Sequence, residues 1–384
     1  MVNPSTVSIG WRPSSFFGWG VFGLNLVLEM EAANGPRPLI CARLTREDVV
    51  VDGARAAVLA KAYARAEAHQ KLNGLKPPKG APHLVSLNHA FADEAVGDRS
   101  YGFIFLENTA IDAAAKAKAK RFRRILAGSS WNTEVLQAHG VGPVVTVLQG
   151  VDASLFCPGP KRGLFADRFV VFSGGKLEFR KGQDIVLAAF KAFHARHPDA
   201  VLAVCWSNPF PKAVASIAAG PHGVGAPKVA ANGAIDIEGW LFANGLPAMA
   251  VVNLGFVANA LMPGVFREVD LAVFPNRCEG GTNLVAMEAM ATGVPVVLSA
   301  NTGHRDVIHD GACWALSRQP APGHAPEGVG TDGWGESDVE ELLDAMETAY
   351  RDRAEARRRG LAGAEAMRRL SWKTQTAAIL AALK

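Results

Sequence analysis

Two glutamates and a pair of adjacent glycines lie close together in one short segment of the second half of the chain, Pro275–Val297. Its loop, residues 279–283, reads EGGTN, and a predicted helix beginning near Leu284 carries Glu288 on its second turn. Glycines let a ligand approach the backbone closely, and the amides at a helix start attract phosphate oxygens. Carboxylates accept hydrogen bonds from sugar hydroxyls. The segment predicts a site for a charged, hydroxyl-rich ligand, although Glu288 taken alone is also compatible with a solvated or capping glutamate.

A second segment, Val170–Gly182, places cations beside a glycine-containing turn. It reads VVFSGGKLEFRKG, which predicts a strand, a turn and then a loop carrying Lys176, Arg180 and Lys181. Such cations stabilise negative charge that develops on a leaving group. A basic surface loop without a ligand is the alternative interpretation.

These two segments resemble the retaining glycosyltransferases of family 4, which have the GT-B fold. The family has a Glu-Gly-x-Gly-Leu loop, a second Glu and then Ala-Met-Ala-x-Gly-x-Pro-Val-Val, and residues 288–297 of this chain read EAMATGVPVV. The family pattern Gly-Arg-Leu, followed by Lys-Gly, is similar to Gly175–Gly182. The chain departs from the family at two points. Eight residues separate Glu279 from Glu288, where the family usually has seven, and Lys176 stands where the family usually has Arg.

The resemblance implies a role for each matched position. Glu288 would bind the ribose hydroxyls of the donor nucleotide, and Glu279 would contact the donor sugar. Lys176 and Lys181 would neutralise the β-phosphate as the glycosidic bond to it breaks. Further donor-binding residues are expected in the glycine-rich loops and at the helix start: Gly20, Gly255, Gly280, Gly281, Thr282, Asn283, Leu284 and Val285. Because the family usually works without a metal, neither a metal nor a cofactor is expected.

Two weaker matches extend the resemblance. Residues 253–256 (NLGF) and 270–275 (DLAVFP) resemble the stretch in which the family holds the nucleobase with backbone groups. Residues 150–156 (GVDASLF) resemble the Gly-Val-Asp-x-x-x-Phe that leads out of the first domain of the family.

Residues 18–23 (GWGVFG) match the GxGxxG pattern of dinucleotide-binding folds. That fingerprint needs its first glycine at the strand end, whereas six residues separate Trp11 from Gly18. The second predicted strand, ending near Arg43, also lacks an acidic residue to hold a ribose. We therefore interpret residues 18–23 as a loop whose amides approach an anionic or hydroxylated ligand at a helix start. The alternative is a tight turn that binds no ligand.

In the first half of the chain, polar residues follow two predicted strands. His89 follows HLVSL, and Glu107 with Asn108 follows GFIFL, so these side chains are expected at the edge of the sheet that faces a ligand. His89 and Glu107 are catalytic candidates beside Lys176, Lys181 and Glu279. The resemblance implies that His89 contacts the donor sugar, since a family histidine often lies at such a place, and Glu107 would orient or deprotonate an acceptor hydroxyl. Purely structural roles for both remain equally compatible with the sequence.

Residues 116–124 (KAKAKRFRR) are the densest basic run of the chain. On a helix they would meet an anionic acceptor or acidic lipid headgroups, which makes peripheral membrane contact a possibility. A solvated basic face is the commoner alternative.

Short apolar strands alternate with helical stretches along both halves, which predicts parallel sheets covered by helices. The expected fold class is α/β, with two Rossmann-like domains facing a central cleft. Residues 1–155 would form the acceptor-binding domain and 156–370 the nucleotide-sugar-binding domain, while a helix at 371–384 would cross back to the first domain. We also predict helices at Ala113–Ile125 and Ser337–Leu370 and a strand at Ile235–Glu238.

Composition excludes several classes of protein. The chain has 384 residues, 49% of them hydrophobic and 20% charged, which excludes a disordered or fibrous protein. A net charge of +4, from 40 basic and 36 acidic residues, is too balanced for a dedicated nucleic-acid binder. Five scattered cysteines favour a reducing compartment. With no signal peptide or membrane span apparent, a cytoplasmic location is expected, with the inner face of the membrane as a variant.

The sequence therefore predicts a retaining, metal-independent glycosyltransferase of polysaccharide biosynthesis type. It would move a sugar from a nucleotide-diphosphate-sugar donor to a hydroxyl of a glycan, lipid-linked or small-molecule acceptor. Two alternatives stay open: another GT-B reaction, by a phosphorylase or a nucleotide-sugar epimerase, and a non-catalytic nucleotide-sugar binding protein.

Overall fold

A computed structural model describes residues 6–91 and 99–384, and the chain divides into two units. Unit 1 combines Met1–Asp152, Ala258–Ala260 and Leu370–Lys384, and unit 2 combines Ala153–Val257 with Leu261–Arg369.

Unit 1 is built around a parallel sheet. Its described strands run in the order β2-β1-β3-β4-β5-β6. The order reverses between β1 and β3, so the loops after these two strands meet where α/β sheets bind ligands. The elements are β1 (Thr6–Ile9), α1 (Gly18–Ala32), β2 (Arg37–Ile40), α2 (Gly53–Asn73), β3 (His83–Leu87), β4 (Ser100–Ile104), α3 (Ala113–Ala119), β5 (Ile125–Ala127), α4 (Ser130–Ala138), β6 (Val144–Thr146) and, from the C-terminus, α12 (Trp372–Ala382).

The C-terminal helix α12 belongs to unit 1, as predicted for the fold. The ring of Trp372 packs against Phe22 of α1 at 5.5 Å between centroids. Arg124 donates a hydrogen bond to the carbonyl of Ala382 at 2.8 Å, and the Tyr101 hydroxyl donates to the carbonyl of Leu383 at 2.8 Å. A cation near the last carbonyls of a helix is favourable because the helix dipole is negative there.

Unit 2 contains a second parallel sheet, with described strands in the order β12-β11-β10-β7-β8-β9. This is the strand order of dinucleotide-binding Rossmann folds, and it reverses between β7 and β10. The elements are β7 (Phe169–Lys176), α5 (Gln183–Arg196), β8 (Ala200–Ser207), α6 (Pro211–Val214), α7 (Ile237–Ala243), β9 (Val251–Asn253), α8 (Met262–Phe266), β10 (Leu271–Phe274), α9 (Leu284–Ala291), β11 (Val296–Ser299), β12 (Trp314–Leu316), α10 (Val339–Arg351) and α11 (Arg353–Met367).

The core of unit 2 explains why its strands read as continuous apolar runs. Every residue of β10 and β11 is buried. Helices cover both faces of a parallel sheet, so its central strands have no solvent-facing side. One cluster joins the sheet to Phe190 and Phe193 of α5 and to Leu342 and Met346 of α10.

Three predicted elements were wrong in extent or type. The predicted helix Ala113–Ile125 ends at Ala119, because residues 125–127 are buried between β4 and β6 as strand β5. The predicted strand Ile235–Glu238 contains a helix start, since the Asp236 carboxylate accepts a hydrogen bond from the Gly239 amide and caps α7.

The predicted helix Ser337–Leu370 is two helices. Asp352 ends α10 and, by accepting a hydrogen bond from the Glu355 amide at 2.9 Å, caps the start of α11. None of the helices in the two described ranges is both long enough and apolar enough to cross a bilayer.

Candidate functional site

The predicted site residues of unit 2 lie on loops at the carboxyl edge of its sheet. One loop follows β7 and contains a 3-10 turn at Phe179–Lys181, and the other, residues 275–283, joins β10 to α9. Strands β7 and β10 are neighbours and flank the reversal of strand order. Parallel topology therefore brings together two segments that are about a hundred residues apart in the chain.

Backbone hydrogen bonds join the two loops directly. The amides of Arg277 and Cys278 donate to the carbonyl of Arg180 at 2.8 and 3.1 Å, and the Arg180 side chain donates to the carbonyl of Cys278 at 3.2 Å. Gly182 has a φ of 66°, and a Cβ at this position would collide with the carbonyl of Pro275. Only glycine allows this close approach without strain.

Charged side chains converge where the loops meet. Lys181 Nζ donates to Glu279 Oε1, and Arg180 Nη1 lies 3.5 Å from Glu279 Oε2. The Asn276 amide also donates to Glu279 Oε1. Burial of Glu279 raises the pKa of its carboxyl, but the charges of Lys181 and Arg180 outweigh burial and lower this pKa to about 2. Glu279 is therefore a buried carboxylate that stays ionised at neutral pH.

Lys176 lies at the end of β7, five residues before Lys181. Its Nζ is 5.7 Å from the centroid of the exposed Phe210 ring. Gly175 has a φ of 131°, and the Lys181 Cε lies 3.7 Å from where its Cβ would be. Both predicted lysines are thus placed at the same strand end, while Lys181 alone is paired with Glu279.

The start of α9 is shaped by Asn283. This residue has a φ of 62°, and its side-chain oxygen accepts a hydrogen bond from the Ala286 amide at 3.4 Å. Asparagine is among the few side chains that adopt this left-handed conformation readily. The helix therefore begins directly after the Glu279 loop, and the amides of Leu284 and Val285 belong to its first turn.

His304 holds the side chain of Asn283 by a hydrogen bond, a role that no sequence pattern indicates. Asn283 Nδ2 lies 3.0 Å from His304 Nε2, and His304 Nδ1 lies 2.9 Å from Ser299 Oγ. Because Asn283 Nδ2 can only donate, Nε2 accepts and the ring proton is on Nδ1. Burial lowers the pKa of His304 to about 4, so the ring is neutral. A lone histidine in the sequence carries no signal for such a supporting role.

A turn at Thr302 and Gly303 packs against the Glu279 loop. The Glu279 amide donates to Thr302 Oγ1 at 2.8 Å, and the Gly303 amide donates to the carbonyl of Glu279 at 3.0 Å. A Cβ at Gly303 would collide with the carbonyl of Gly281. The backbone around Glu279 is therefore held on both sides.

The other predicted donor-binding residues of unit 2 lie around this centre. Gly280, Gly281 and Thr282 are buried, and the Thr282 hydroxyl donates to Met287 Sδ at 3.0 Å. Glu288 is buried on the second turn of α9. Gly255 follows β9 with a φ of 61°, and its carbonyl accepts a hydrogen bond from Cys205 Sγ at 3.2 Å.

Arg277 was also missed from the sequence, although its side chain is completely buried between the two loops. It contacts Asp184 at the start of α5 and Glu336 in the segment between β12 and α10. Burial alone lowers the pKa of a guanidinium, but hydrogen bonds and charge from these two carboxylates outweigh it and raise the pKa of Arg277. In the sequence Arg277 lies in the loop PNRCEGG, and no pattern there indicates its distant partners.

The predicted residues of unit 1 lie at the carboxyl edge of its own sheet. His89 follows β3 and Glu107 follows β4, and both side chains are half-buried. Gly20 lies in the first turn of α1, where a Cβ would collide with Ser14. Close packing within unit 1 is therefore sufficient to require glycine at this position. Across residues 6–91 and 99–384, no cluster of three or more His, Cys, Asp or Glu side chains is arranged to hold a metal ion.

Comparison with solved structures decides the fold. Sucrose-phosphate synthase from Thermosynechococcus elongatus superposes with a TM-score of 0.67 at 17% identity, covering 98% of this chain and 97% of the other. Anabaena HepE in complex with UDP-glucose superposes with a TM-score of 0.65 at 16% identity, covering 98% and 99%. The chain has the GT-B fold. At these identities the likeness concerns the fold alone.

Sequence comparisons add information on unit 2. Residues 167–352 match the family model described as glycosyl transferases group 1. A GDP-mannose-dependent α-(1-6)-phosphatidylinositol monomannoside mannosyltransferase of Mycolicibacterium smegmatis is 27% identical over 242 residues, which are 59% of this chain and 53% of the relative. The chain spans about half the length of the curated relatives that it matches. The matched family region contains Lys176, Lys181, Glu279 and Glu288.

Proposed function

We propose that this chain is a retaining glycosyltransferase of the family 4 type. It would transfer a sugar from a nucleotide-diphosphate sugar to a hydroxyl of a glycan, lipid-linked or small-molecule acceptor. The observation that carries the proposal is the buried contact of Lys181 with the ionised Glu279, at the reversal of strand order and beside the start of α9. The match of residues 167–352 to glycosyl transferases group 1 supports it.

The two lysines suit the leaving group of such a reaction. When the bond between the anomeric carbon and the β-phosphate breaks, negative charge grows on the phosphate oxygens. Lys181 and Lys176, at one strand end, would stabilise that charge more in the transition state than in the ground state, which is the requirement for catalysis. We propose that these ammonium groups, with the amides at the start of α9, perform the work that a divalent cation performs in other transferases.

The two carboxylates suit the neutral parts of the donor. Glu279 is ionised and held by Lys181 and Asn276, so it presents a fixed acceptor to sugar hydroxyls. Glu288, on the second turn of α9, would accept hydrogen bonds from the ribose. Ionised acceptors form stronger hydrogen bonds than neutral ones, which would orient the donor.

Unit 1 would supply the acceptor side. His89 and Glu107 are proposed to contact the donor sugar and the acceptor hydroxyl, and Gly20 to approach the donor with its backbone. Lys120, Arg121 and Arg123 are exposed in the basic run after α3 and would meet an anionic acceptor or lipid headgroup. A location at the inner face of the membrane would follow from that contact.

The test is a thermal-shift screen followed by a transfer assay. A ligand that binds the folded state raises the melting temperature, so GDP, UDP and their sugars are expected to do so. GDP-mannose and UDP-glucose are tested first, because the descriptions of two similar proteins name these donors. Release of nucleotide together with a glycosylated acceptor confirms the transferase. Phosphate-dependent release of a sugar phosphate would indicate a phosphorylase, and interconversion of donor sugars an epimerase. Stabilisation without any turnover would indicate a binding protein.

A further inference from the structure

Arg277 uses every hydrogen-bond donor that its side chain possesses. A guanidinium carries five N–H groups. In Arg277, Nε donates to Glu336 at 2.6 Å, Nη1 to the carbonyl of Phe179 and to Asp184 at 2.8 Å each, and Nη2 to Asp184 at 2.7 Å and Glu336 at 2.6 Å. The guanidinium carbon also lies 4.2 Å from the centroid of the Phe179 ring.

These contacts join four parts of unit 2. Phe179 begins the turn that carries Lys181, and Asp184 lies in the first turn of α5. Glu336 comes from the segment between β12 and α10, where the Gly335 amide also donates to the carbonyl of Arg277 at 3.1 Å. Arg277 itself lies two residues before Glu279. Its side chain is thus a common hydrogen-bond partner of the turn after β7, the start of α5 and the segment before α10.

Both backbone polar groups of Phe179 form hydrogen bonds to side chains. The Phe179 amide donates to Ser216 Oγ at 3.0 Å, and its carbonyl accepts from Arg277. The Trp334 ring lies 6.3 Å from the Phe179 ring in a stacked arrangement. Lys181 is two residues further along this turn. The position of its ammonium group therefore depends on how firmly the turn is held.

We propose that Arg277 is a positioning residue that fixes Lys181 and Glu279 relative to the β-phosphate of a bound nucleotide, an inference that rests on the proposed function. All five N–H groups of Arg277 are paired within the protein, so its role would be to act through the two loops and not on the donor itself. It aligns the turn after β7 with the loop after β10, so that the cation on the first and the carboxylate on the second meet the ligand in one geometry. Glu336 contributes by fixing the guanidinium from the third segment.

The decisive variant is Arg277→Lys, which keeps the charge but replaces five fixed donors with three on a flexible stem. At least two of the five hydrogen bonds of Arg277 are then lost. The probes are GDP against GMP and UDP against UMP, with dissociation constants measured by calorimetry, because each pair differs only in the β-phosphate. We expect the preference of the native protein for the diphosphate to fall about tenfold or more, while affinity for the monophosphate is retained, since misplacement of about 1 Å can cost a hundredfold in a reaction.

Arg359→Lys is the matched control. Arg359 donates to Glu355 and to the carbonyl of Cys313 at 2.7 Å each, and lies over the Trp314 ring at 4.9 Å, so it has the same three kinds of partner away from the site. This variant is expected to keep the diphosphate preference. An unchanged ratio of the two dissociation constants in Arg277→Lys, whether or not both affinities are weakened, would overturn the inference.

Two further outcomes are separable. If the native protein prefers neither diphosphate over its monophosphate, the proposed function fails before Arg277 is tested. If Arg277→Lys does not fold, Glu336→Gln preserves the shape of the cluster and removes one charge. It is then expected to lower the diphosphate preference about threefold, in line with the loss of a charge-assisted hydrogen bond. An unchanged ratio in Glu336→Gln would equally contradict the inference.

Discussion

Lys181 and Glu279, 98 residues apart in the chain, form a buried ion pair at the junction of two loops. Their side chains are 10% and 5% exposed, so water screens the pair weakly. A cation held in this way has little freedom to move, so its charge has a fixed place at the loop junction. The pair is therefore the first feature to test.

Lys181→Ala is expected to lower kcat about a hundredfold with a smaller change in donor affinity, because phosphate charge grows in the transition state. Initial rates over a range of donor concentrations measure both. Lys191→Ala, on the exposed face of α5, is the control and should leave both parameters unchanged. Equal losses in affinity and rate would show that Lys181 binds ground state and transition state alike.

Glu288→Gln is expected to weaken binding of free nucleoside diphosphate about tenfold, since hydrogen bonds to a charged acceptor contribute more than those to an amide. Calorimetry with GDP and UDP measures the change. Glu365→Gln, on an exposed part of α11, is the comparison and should bind as the native protein does. Unchanged affinity in Glu288→Gln would remove the ribose role.

Much of unit 2 could be predicted from local sequence. Residues 279–288 form the expected loop and helix start, and the strand expected at the beginning of Val170–Gly182 is present as β7. Each of these signals lies within a short window. The helix predicted at Ala113–Ile125 was too long, because a basic turn separates the observed helix from a buried strand. Alanine and lysine favour helix, and tertiary contacts override that preference here.

The supporting side chains of the site could not be predicted. Arg277 depends on Asp184 and Glu336, which are 93 and 59 residues away, and no spacing rule connects them. His304 acts through Asn283, whose left-handed conformation arises in a loop one residue longer than the family pattern. Contacts of this kind follow from the topology of the sheet, which sequence periodicity specifies only coarsely.

Acidification should destabilise unit 2 through His304. Its pKa is about 6.5 when unfolded and about 4 when folded. Between these values the unfolded chain binds a proton that the folded chain does not, so stability rises with pH and falls as pH drops from 6.5 towards 4. The slope is at most about 1.4 kcal/mol per pH unit for this one proton. Below pH 4.5 the unfolded chain also binds a proton at Glu279, whereas the folded chain does not because its pKa there is about 2. This difference lowers the stability further.

Urea unfolding at a series of pH values measures this dependence. The variant His304→Asn lacks the titrating ring and should show a shallower decline between pH 6.5 and 4, whatever its absolute stability. His309→Asn, which alters an exposed histidine nearby, should retain the native slope. An identical slope in all three proteins would mean that His304 is not the group responsible.

Gly303→Ala tests whether the backbone around Glu279 needs its close support. The new Cβ would lie 2.8 Å from the carbonyl oxygen of Glu279 and closer still to that of Gly281, and backbone atoms cannot move aside as a flexible side chain can. Overpacking of this kind costs about 1–3 kcal/mol. The Glu279 loop must shift to accommodate it, so both the melting temperature and the affinity for nucleoside diphosphate should fall. Gly264→Ala, in α8 with open space around the new methyl, should leave both unchanged or raise stability slightly. A lower melting temperature with native affinity would show that the loop adapts without moving Glu279. The packing of this turn would then matter for stability and not for ligand binding.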